Sequence, residues 1–266
     1  MESGSNKSLY TLIAVVVFGI FLSLSYFLFQ DNLKGLLASV TNGVSTTMIL
    51  KLDNKGQIPT DAKYFTVLSN GDGTCKITNY NTAGGTDIII PTVINGLTVT
   101  RISNNAFQNK GLTGVILPET LKVIEDGVGY PSDIGAFCLN NLKHIVIPEG
   151  VTHIGVLAFC YNKLETVELP STLTTIARSA FNTNNLKSVI LPNSLTSIGY
   201  LAFRNNLSLK ELTIPKSVTT LSTDILQNSV NVKQVNVPVS LKATVEASPT
   251  IFKLDGTGKQ PTIVYY

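Results

Sequence analysis

Leu164-Glu-Thr-Val-Glu-Leu-Pro170 is one of six similar segments that end in proline. The other five end at Pro118, Pro148, Pro192, Pro215 and Pro238, so successive prolines lie 30, 22, 22, 23 and 23 residues apart. Repetition with a period of roughly 20–29 residues is typical of a solenoid, in which each coil contacts only its neighbours. Residues 101–238 are therefore predicted to form a solenoid of coils that are mostly 22–23 residues long.

Apolar side chains alternate before each proline, as Val167 and Leu169 do, and a period of two places them on the inner side of a strand. Proline then ends the strand because it cannot donate a hydrogen bond to the ladder. Further along each coil comes a second apolar position, such as Ile176, and then an Ala-Phe pair, such as Ala180-Phe181. Stacking at the strand spacing of about 4.8 Å predicts an internal column of phenylalanine rings. Asparagine-rich turns follow, where Asn tolerates left-handed backbone and bonds to neighbouring amides.

This pattern resembles the BspA-like leucine-rich repeat family, whose coils read roughly L-xx-I-x-I-P-xx-(L/V)-xx-I-(G)-xxx-AF. The similarity extends over residues 64–238 and includes Tyr64-Phe-Thr-Val-Leu68 and Ile94-Asn-Gly-Leu-Thr-Val-Thr100. The resemblance implies a mainly β leucine-rich-repeat solenoid that is displayed on a cell surface and is implicated in adhesion or host-protein binding. It implies no catalytic residue, so the chain is not expected to be an enzyme.

Residues 9–29 form an apolar run without a charge or a proline, after a short polar N-terminus at 1–8. As a helix, this run would be about 31 Å long, enough to cross a bilayer core of roughly 30 Å. Its length and the nearly uncharged leader favour a retained single-pass transmembrane helix over a cleaved signal peptide. Apolar residues at helical spacing continue the helix to about residue 47, or else lie on the lipid headgroups. Charge does not decide the orientation, and analogy with the family places the repeats outside the cell.

Gly4 and the run Tyr10-Thr11-Leu12-Ile13 also resemble the N-terminus of type IV prepilins. The sequence departs from that pattern because no acidic residue follows Ile13 and the leader is hardly basic. The resemblance implies a filament or a homo-oligomer formed through the N-terminal helix, with the repeats as an adhesive tip.

Three further segments complete the predicted organisation. Residues 51–63 are polar and are expected to be a linker. Residues 64–100 are predicted to be an N-terminal β cap, with a hairpin turn at Asn95-Gly96, where positive φ is needed. Residues 239–266 are expected to be a C-terminal cap or tail with one strand.

Composition and motifs exclude several kinds of chemistry. The net charge is only +3 and no cluster of Lys and Arg is present, so no nucleic-acid partner is expected. His144 and His153 are the only histidines, and no metal-ligand spacing, phosphate-binding loop or catalytic triad occurs, so no metal, cofactor or catalytic residue is predicted. Cys138 and Cys160 occupy equivalent positions of successive coils, with expected Cα atoms about 5 Å apart. Parallel Cβ vectors favour two buried thiols, while a disulfide stays open as the alternative.

Outward strand positions are predicted to form a binding face for a macromolecule. Ile116, Val146 and Ile190 would put apolar side chains on that face, and a contiguous apolar patch indicates a partner, although β-branched residues also simply suit strands. The candidate face comprises Ile116, His144, Val146, Thr166, Glu168, Ser188, Ile190, Glu211 and Thr213.

The coil after Ile124 holds about eight more residues than its neighbours, at 125–133. Insertions in solenoids map to surface loops, often on the binding side. Glu125, Asp126, Tyr130 and Asp133 are therefore candidates for a binding loop, the alternative being a tolerated loop without a role.

Taken together, the sequence predicts a single-pass cell-membrane protein whose repeat domain faces outside and binds an extracellular protein or cell-surface ligand. The alternatives are a minor pilin-like subunit with an adhesive tip and a structural envelope protein without a specific ligand.

Overall fold

The computed structural model describes residues 57–128 and 135–266. The predicted transmembrane helix at 9–29, its continuation to 47, and the candidates Tyr130 and Asp133 lie outside these ranges. No helix in the described part of the chain has the length and apolar character needed to cross a membrane.

The described residues form a mainly β solenoid, as the repeat predicts. Its sixteen strands within those ranges are β1 Phe65–Ser69, β2 Thr74–Tyr80, β3 Asp87–Ile89, β4 Val93–Ile94, β5 Leu97–Ile102, β6 Gly114–Ile116, β7 Val123–Ile124, β8 His144–Val146, β9 His153–Ile154, β10 Thr166–Glu168, β11 Thr175–Ile176, β12 Ser197–Ile198, β13 Glu211–Thr213, β14 Thr220–Leu221, β15 Gln234–Val237 and β16 Thr262–Tyr265. Short 3-10 helices occur at Ala62–Tyr64, Thr82–Gly84 and Val239–Leu241, and helix α1 spans Lys242–Ala247.

One sheet runs without a break along the solenoid in the order β1-β2-β5-β7-β9-β11-β12-β14. From β5 onward its strands are parallel and in register, so that Ile154 pairs with Ile176 and Ile176 with Ile198. We call this unbroken sheet the continuous sheet. β4 joins it as an antiparallel hairpin with β5, and Asn95 and Gly96 have φ values of 52° and 78°. The turn predicted at Asn95-Gly96 is thereby confirmed.

The strands that precede the prolines form a second sheet, which is divided into three parts. These parts are β3-β6, β8-β10 and β13-β15-β16. We call it the interrupted sheet. Residues 188–190, which the repeat predicts to be a strand between β10 and β13, do not form one.

The predicted phenylalanine column is confirmed. Phe107, Phe137, Phe159, Phe181 and Phe203 are fully buried, and neighbouring rings lie within 7° of parallel. Their centroids are 4.8 Å apart at the first step and 5.8 Å apart at the last, close to the strand spacing of about 4.8 Å. The rings therefore stack at one per coil through the core.

A ladder of buried asparagines runs beside the rings. The side-chain amide of Asn162 donates to Phe137 O in the preceding coil and to Phe159 O in its own, while its Oδ1 accepts from Leu142 N. Asn140, Asn184 and Asn206 repeat this pattern, and Ser229 Oγ takes over the donation to Phe203 O. Left-handed backbone occurs one residue earlier, for example at Tyr161 and Thr183. The buried asparagines thus act through their side-chain hydrogen bonds. The left-handed backbone predicted for the turn occurs at the residue before each of them.

The two ends of the described chain are tied to the interrupted sheet. Thr60 N donates to Ile89 O and Ile89 N donates to Thr60 Oγ1, so the last part of the predicted linker is bonded to β3. At the other end, β16 pairs in parallel with β15, which supplies the single strand expected in the tail. Helix α1 was not predicted, because its six residues show no sustained apolar period.

Cys138 and Cys160 are joined by a disulfide, with Cα atoms 4.7 Å apart. The preference for two free thiols was therefore wrong, although the expected Cα separation was correct. Leu157 and Val156 pack around the buried disulfide, which links the coil of the insertion to the next coil. Cys75 is buried and free, and burial raises the pKa of its thiol.

Candidate functional site

All nine residues of the candidate face are exposed, as predicted from the period of two. Where the strands are paired, the ladder aligns these residues in two columns, because His144 pairs with Thr166 and Val146 pairs with Glu168 in register. On β13, Glu211 and Thr213 pair with Gln234 and Asn236 of β15. Beneath them, Ile145 and Leu212 are buried. Alternation along each strand thus separates the face from the core.

A polar cluster ties β8 to β10 at the middle of the face. His144 Nδ1 lies 2.5 Å from Thr166 Oγ1, and His144 Nε2 lies 3.6 Å from Glu168 Oε1. These side chains project from paired strands one coil apart, which is why the ladder brings them together. The cluster fixes the imidazole beside the Glu168 carboxylate on the exposed surface.

The strand pairing of the interrupted sheet ends immediately after this cluster. In the regular pairs, Ile147 N donates to Glu168 O and Ile214 N donates to Asn236 O. The equivalent donors at the gap are Leu169 N and Leu191 N. Within the described ranges neither bonds to the coil that follows it, and the main chain of 188–191 forms no hydrogen bond. The free backbone groups of β10 and β13 therefore face the unpaired segment from either side.

A groove of about 750 Å³ lies where the ladder is missing. Its lining includes His144, Thr166 and Glu168 from the cluster, Glu149 beyond β8, and Ser188 and Ile190 from the unpaired segment. Five of these six belong to the candidate face, so the structure brings together residues that the sequence placed in the same columns. Ile190 is 86% exposed, the most exposed large hydrophobic side chain among the described residues.

The groove carries negative charge. Glu149 and Glu168 line it, and no Lys or Arg is among its lining residues. Glu149 accepts hydrogen bonds from Ser171 N and Ser171 Oγ, both at 3.0 Å, which holds its carboxylate in place. Glu149 follows Pro148 rather than preceding it, so the sequence pattern of outward strand positions could not reveal it.

The described part of the insertion is anchored to the solenoid. Asp126 Oδ1 accepts from Val156 N and from His153 Nε2, both at 2.9 Å. Burial acts to raise the pKa of Asp126, but these hydrogen bonds and the charge of His153 outweigh it and hold the pKa below 3.8. Asp126 therefore fixes the start of the loop.

Glu125, the residue before Asp126, has several partners of its own. Its carboxylate contacts Arg101 Nε at 3.0 Å, Ser103 Oγ at 3.2 Å and Lys76 Nζ at 3.7 Å. Its side chain is only 21% exposed, so it takes part in a local ion cluster. The other two loop candidates, Tyr130 and Asp133, lie outside the described residues.

Across the described residues, no group of three or more His, Cys, Asp or Glu side chains is placed to hold a metal ion. The polar groups on the face are carboxylates, hydroxyls and one imidazole beside exposed apolar side chains. Such a surface suits noncovalent recognition of a macromolecule.

The repeated strands, the buried columns and the exposed face define a leucine-rich-repeat solenoid. The chain belongs to the family described as BspA type leucine rich repeat region, which matches residues 80–130 and 133–248 in six copies. No curated protein matches the sequence significantly.

Several solved structures of bacterial proteins are similar to this chain. A leucine rich repeat protein of T. pallidum is 24% identical, with 67% of this chain and 71% of that chain covered and a TM-score of 0.46. A leucine rich cell surface protein of Faecalibacterium prausnitzii is 19% identical, with 76% and 75% covered and a TM-score of 0.34. The pneumococcal vaccine antigen PcpA is 17% identical, with 76% and 48% covered and a TM-score of 0.43.

Proposed function

We propose that this chain is a binding protein displayed outside the cytoplasm, which holds another macromolecule on the interrupted sheet. It acts as a rigid scaffold and carries out no catalysis. Stacked coils fix the exposed columns relative to each other, and each coil contributes a few side chains to one extended surface.

The groove beside the exposed columns is the observation that carries this proposal. It brings Glu149, Glu168 and the 86% exposed Ile190 together on one face. Val146, 44% exposed, lies beside Glu168 in the same column. Exposed apolar residues that adjoin polar groups in this way mark interaction sites, whereas isolated ones do not.

The disulfide between Cys138 and Cys160 supports a location outside the cytoplasm. Disulfides persist in oxidising compartments and are rare where thioredoxin and glutathione keep thiols reduced. The apolar run at 9–29 supports a single-pass anchor, with the repeats on the outer side of the cell membrane. Extracellular proteins or cell-surface ligands are then the accessible partners.

Protease treatment of intact cells that produce the full chain with a C-terminal epitope tests the display. The epitope is expected to disappear from intact cells while a cytoplasmic marker protein persists. An epitope that resists the protease until the cells are lysed would contradict display on the surface.

Binding is tested with the same cells on a panel of immobilised extracellular proteins. Ile190→Ser is expected to weaken whatever adhesion the unmodified chain shows. Leu207→Ser is the matched control, because Leu207 is 54% exposed but does not line the groove. Equal adhesion by both variants and the unmodified chain would show that this face is not the binding surface.

A further inference from the structure

Strand β16 leaves one edge of the interrupted sheet without a neighbour. It pairs with β15 on one side and is the last strand of its sheet among the described residues. Thr262 N and Tyr266 N donate to carbonyl oxygens of the segment that holds β15, so these residues and Val264 direct their main-chain groups to β15. Because alternate residues of a strand point to opposite edges, Ile263 and Tyr265 direct theirs outward. Neither of these two main chains has a hydrogen-bond partner in the described part of the chain.

The core beneath β16 is also left partly open. The inward residues of the two preceding strands are buried, as Leu212 and Val235 are. Ile263 pairs with Val235 and packs against the same core, but it and Tyr265 are only half-buried. Val264, on the outer side of the strand, is 38% exposed. Another strand beside β16 would therefore cover apolar side chains as well as main-chain groups.

No other described segment lies in the coil of β16. Helix α1 and residues 250–252 complete the preceding coil, because Ile225 N donates to Ile251 O in the same way that Phe203 N donates to Ile225 O. β16 follows them and extends one coil step further. A second strand can therefore approach this edge without displacing a segment that the structure describes.

β16 lacks the features that protect most free edges. Charged residues, prolines and bulges usually keep an edge strand from pairing with another chain. Thr262–Tyr265 holds no charge and no proline, and its register with β15 has no bulge. The opposite end of the described solenoid differs, because β1 carries a bulge between Thr66 and Val67, and Thr60 is bonded to β3. Of the two ends, the one at β16 is thus open to a further strand.

We propose that two copies of this chain pair through β16 in antiparallel orientation, about a twofold axis at Val264. Ile263 and Tyr265 are two residues apart, so the outward groups of each lie opposite those of the other in the second copy. Each of these pairs exchanges both of its N–H···O bonds, and Val264 meets its own counterpart at a Cα distance of about 4.5 Å. The edge is therefore complementary to itself, as a twofold contact requires, and an uncharged strand does not repel its copy.

The contact is short, so we expect a weak dimer whose population depends on concentration. Its axis is perpendicular to the sheet, so both copies present the exposed columns of the interrupted sheet on the same side. A partner with repeated sites would then be held by two faces at once, and more tightly than by one. The pairing goes beyond the proposed function and does not depend on it. It is also distinct from the oligomer predicted through the N-terminal helix.

Disulfide cross-linking tests the register of the pairing. The full chain with Cys75→Ala and Val264→Cys, in detergent micelles, is expected to form a covalent dimer on oxidation, because Cα atoms about 4.5 Å apart suit a disulfide. Thr262→Cys in the same background is the matched control, since its two copies would lie roughly 13 Å apart along the strands. A denaturing gel without reductant measures the dimer. Equal amounts of dimer from both variants, or none from Val264→Cys, would overturn the inference.

Sedimentation in density-matched detergent tests the association without a cross-link. The unmodified full chain is expected to shift from monomer to dimer as its concentration rises. Val264→Lys is expected to weaken the dimer by about tenfold, because the contact between the two valines is lost and two like charges face each other. Val93→Lys is the control, since Val93 is 48% exposed but lies on β4, near the other end of the described solenoid.

Two results of the sedimentation experiment would contradict the pairing. A chain that stays monomeric, as it would if β16 paired only with a different protein, would overturn the inference. Equal dissociation constants for Val264→Lys and Val93→Lys would do the same, because an oligomer formed through the N-terminal helix alone responds to neither substitution.

Discussion

The side-chain amide of Asn184 donates a hydrogen bond to the carbonyl oxygen of Phe159, 25 residues earlier in the preceding coil, at 2.9 Å. The same amide donates to Phe181 O, and Asn184 Oδ1 accepts from Leu164 N. One buried side chain thus satisfies main-chain groups in two coils, on the core side of a turn that water does not reach.

Asn184→Ala is expected to lower the free energy of unfolding by roughly 1–3 kcal/mol, because the buried Leu164 N loses its acceptor. Phe159 O and Phe181 O keep the amide donors of Asn162 and Asn206. Chemical denaturation followed by circular dichroism measures this change. Asn193→Ala is the control, since Asn193 is exposed and is expected to tolerate the substitution with little change. Similar losses of unfolding free energy in both variants would show that the buried asparagines are not the source of this stability.

Removing the disulfide is expected to cost about 3 kcal/mol, because Cys138 and Cys160 are 22 residues apart and the bond restricts the unfolded chain. Thermal unfolding with and without dithiothreitol measures the effect. A reductant-dependent fall in Tm is expected for the unmodified chain and for Cys75→Ala. The double variant Cys138→Ala and Cys160→Ala is expected to unfold at the same temperature under both conditions. A reductant-dependent Tm in that double variant would contradict the assignment.

Asp126 is expected to make stability sensitive to acid. Its pKa in the folded protein is held below 3.8, with burial opposed and outweighed by hydrogen bonds from Val156 N and His153. A lowered folded pKa means that its contribution is present above the unfolded pKa and is lost as the pH falls through the folded value. Urea unfolding should therefore show Asp126→Asn to be less stable than the unmodified chain near neutral pH, with the difference shrinking below about pH 4. A difference that stays constant with pH would show that the charge of Asp126 is not involved.

Thr183 offers a route to a more stable protein. Its φ is 55°, a left-handed conformation that β-branched residues rarely adopt, while Asn occupies the equivalent position at Asn109, Asn205 and Asn228. Thr183→Asn is expected to raise the free energy of unfolding by about 1 kcal/mol, because such strain costs on the order of 1–3 kcal/mol. Denaturant unfolding measures the gain. Thr152→Asn, at an exposed position without positive φ, is expected to give none, and an equal gain there would refute the backbone explanation.

The sequence predicted the features that repeat in every coil. The inward columns, the phenylalanine stack and the exposure of Ile116, Val146 and Ile190 all follow from residue spacing, because period and side-chain direction are local properties. The Asn95-Gly96 hairpin was predictable for the same reason, since its turn chemistry lies in two residues.

The gap in the interrupted sheet was not predictable in this way. Leu186-Lys-Ser-Val-Ile-Leu-Pro192 carries the same alternation as Leu142-Lys-His-Ile-Val-Ile-Pro148, yet only the second contributes a strand. Whether a segment pairs depends on the distance to the neighbouring coils, which its own residues do not specify. Glu149 was missed as a groove residue for a related reason, because its place follows from the turn after the proline.

The disulfide shows the limit of reasoning from ideal geometry. Parallel Cβ vectors were expected to oppose a bond between Cys138 and Cys160, but both residues lie in turns rather than in strands. Leu139 and Tyr161, which follow them, adopt left-handed φ, so the ideal strand directions do not apply there.

The two sheets differ in continuity. The continuous sheet passes unbroken from β9 through β11 and β12 to β14, whereas the opposite sheet has no hydrogen bond across 188–191 within the described ranges. The register of this coil is therefore set by the continuous sheet, the buried asparagines and the phenylalanine stack. A substitution at an exposed position of 188–191 consequently changes the outer surface without removing a hydrogen bond of a strand ladder.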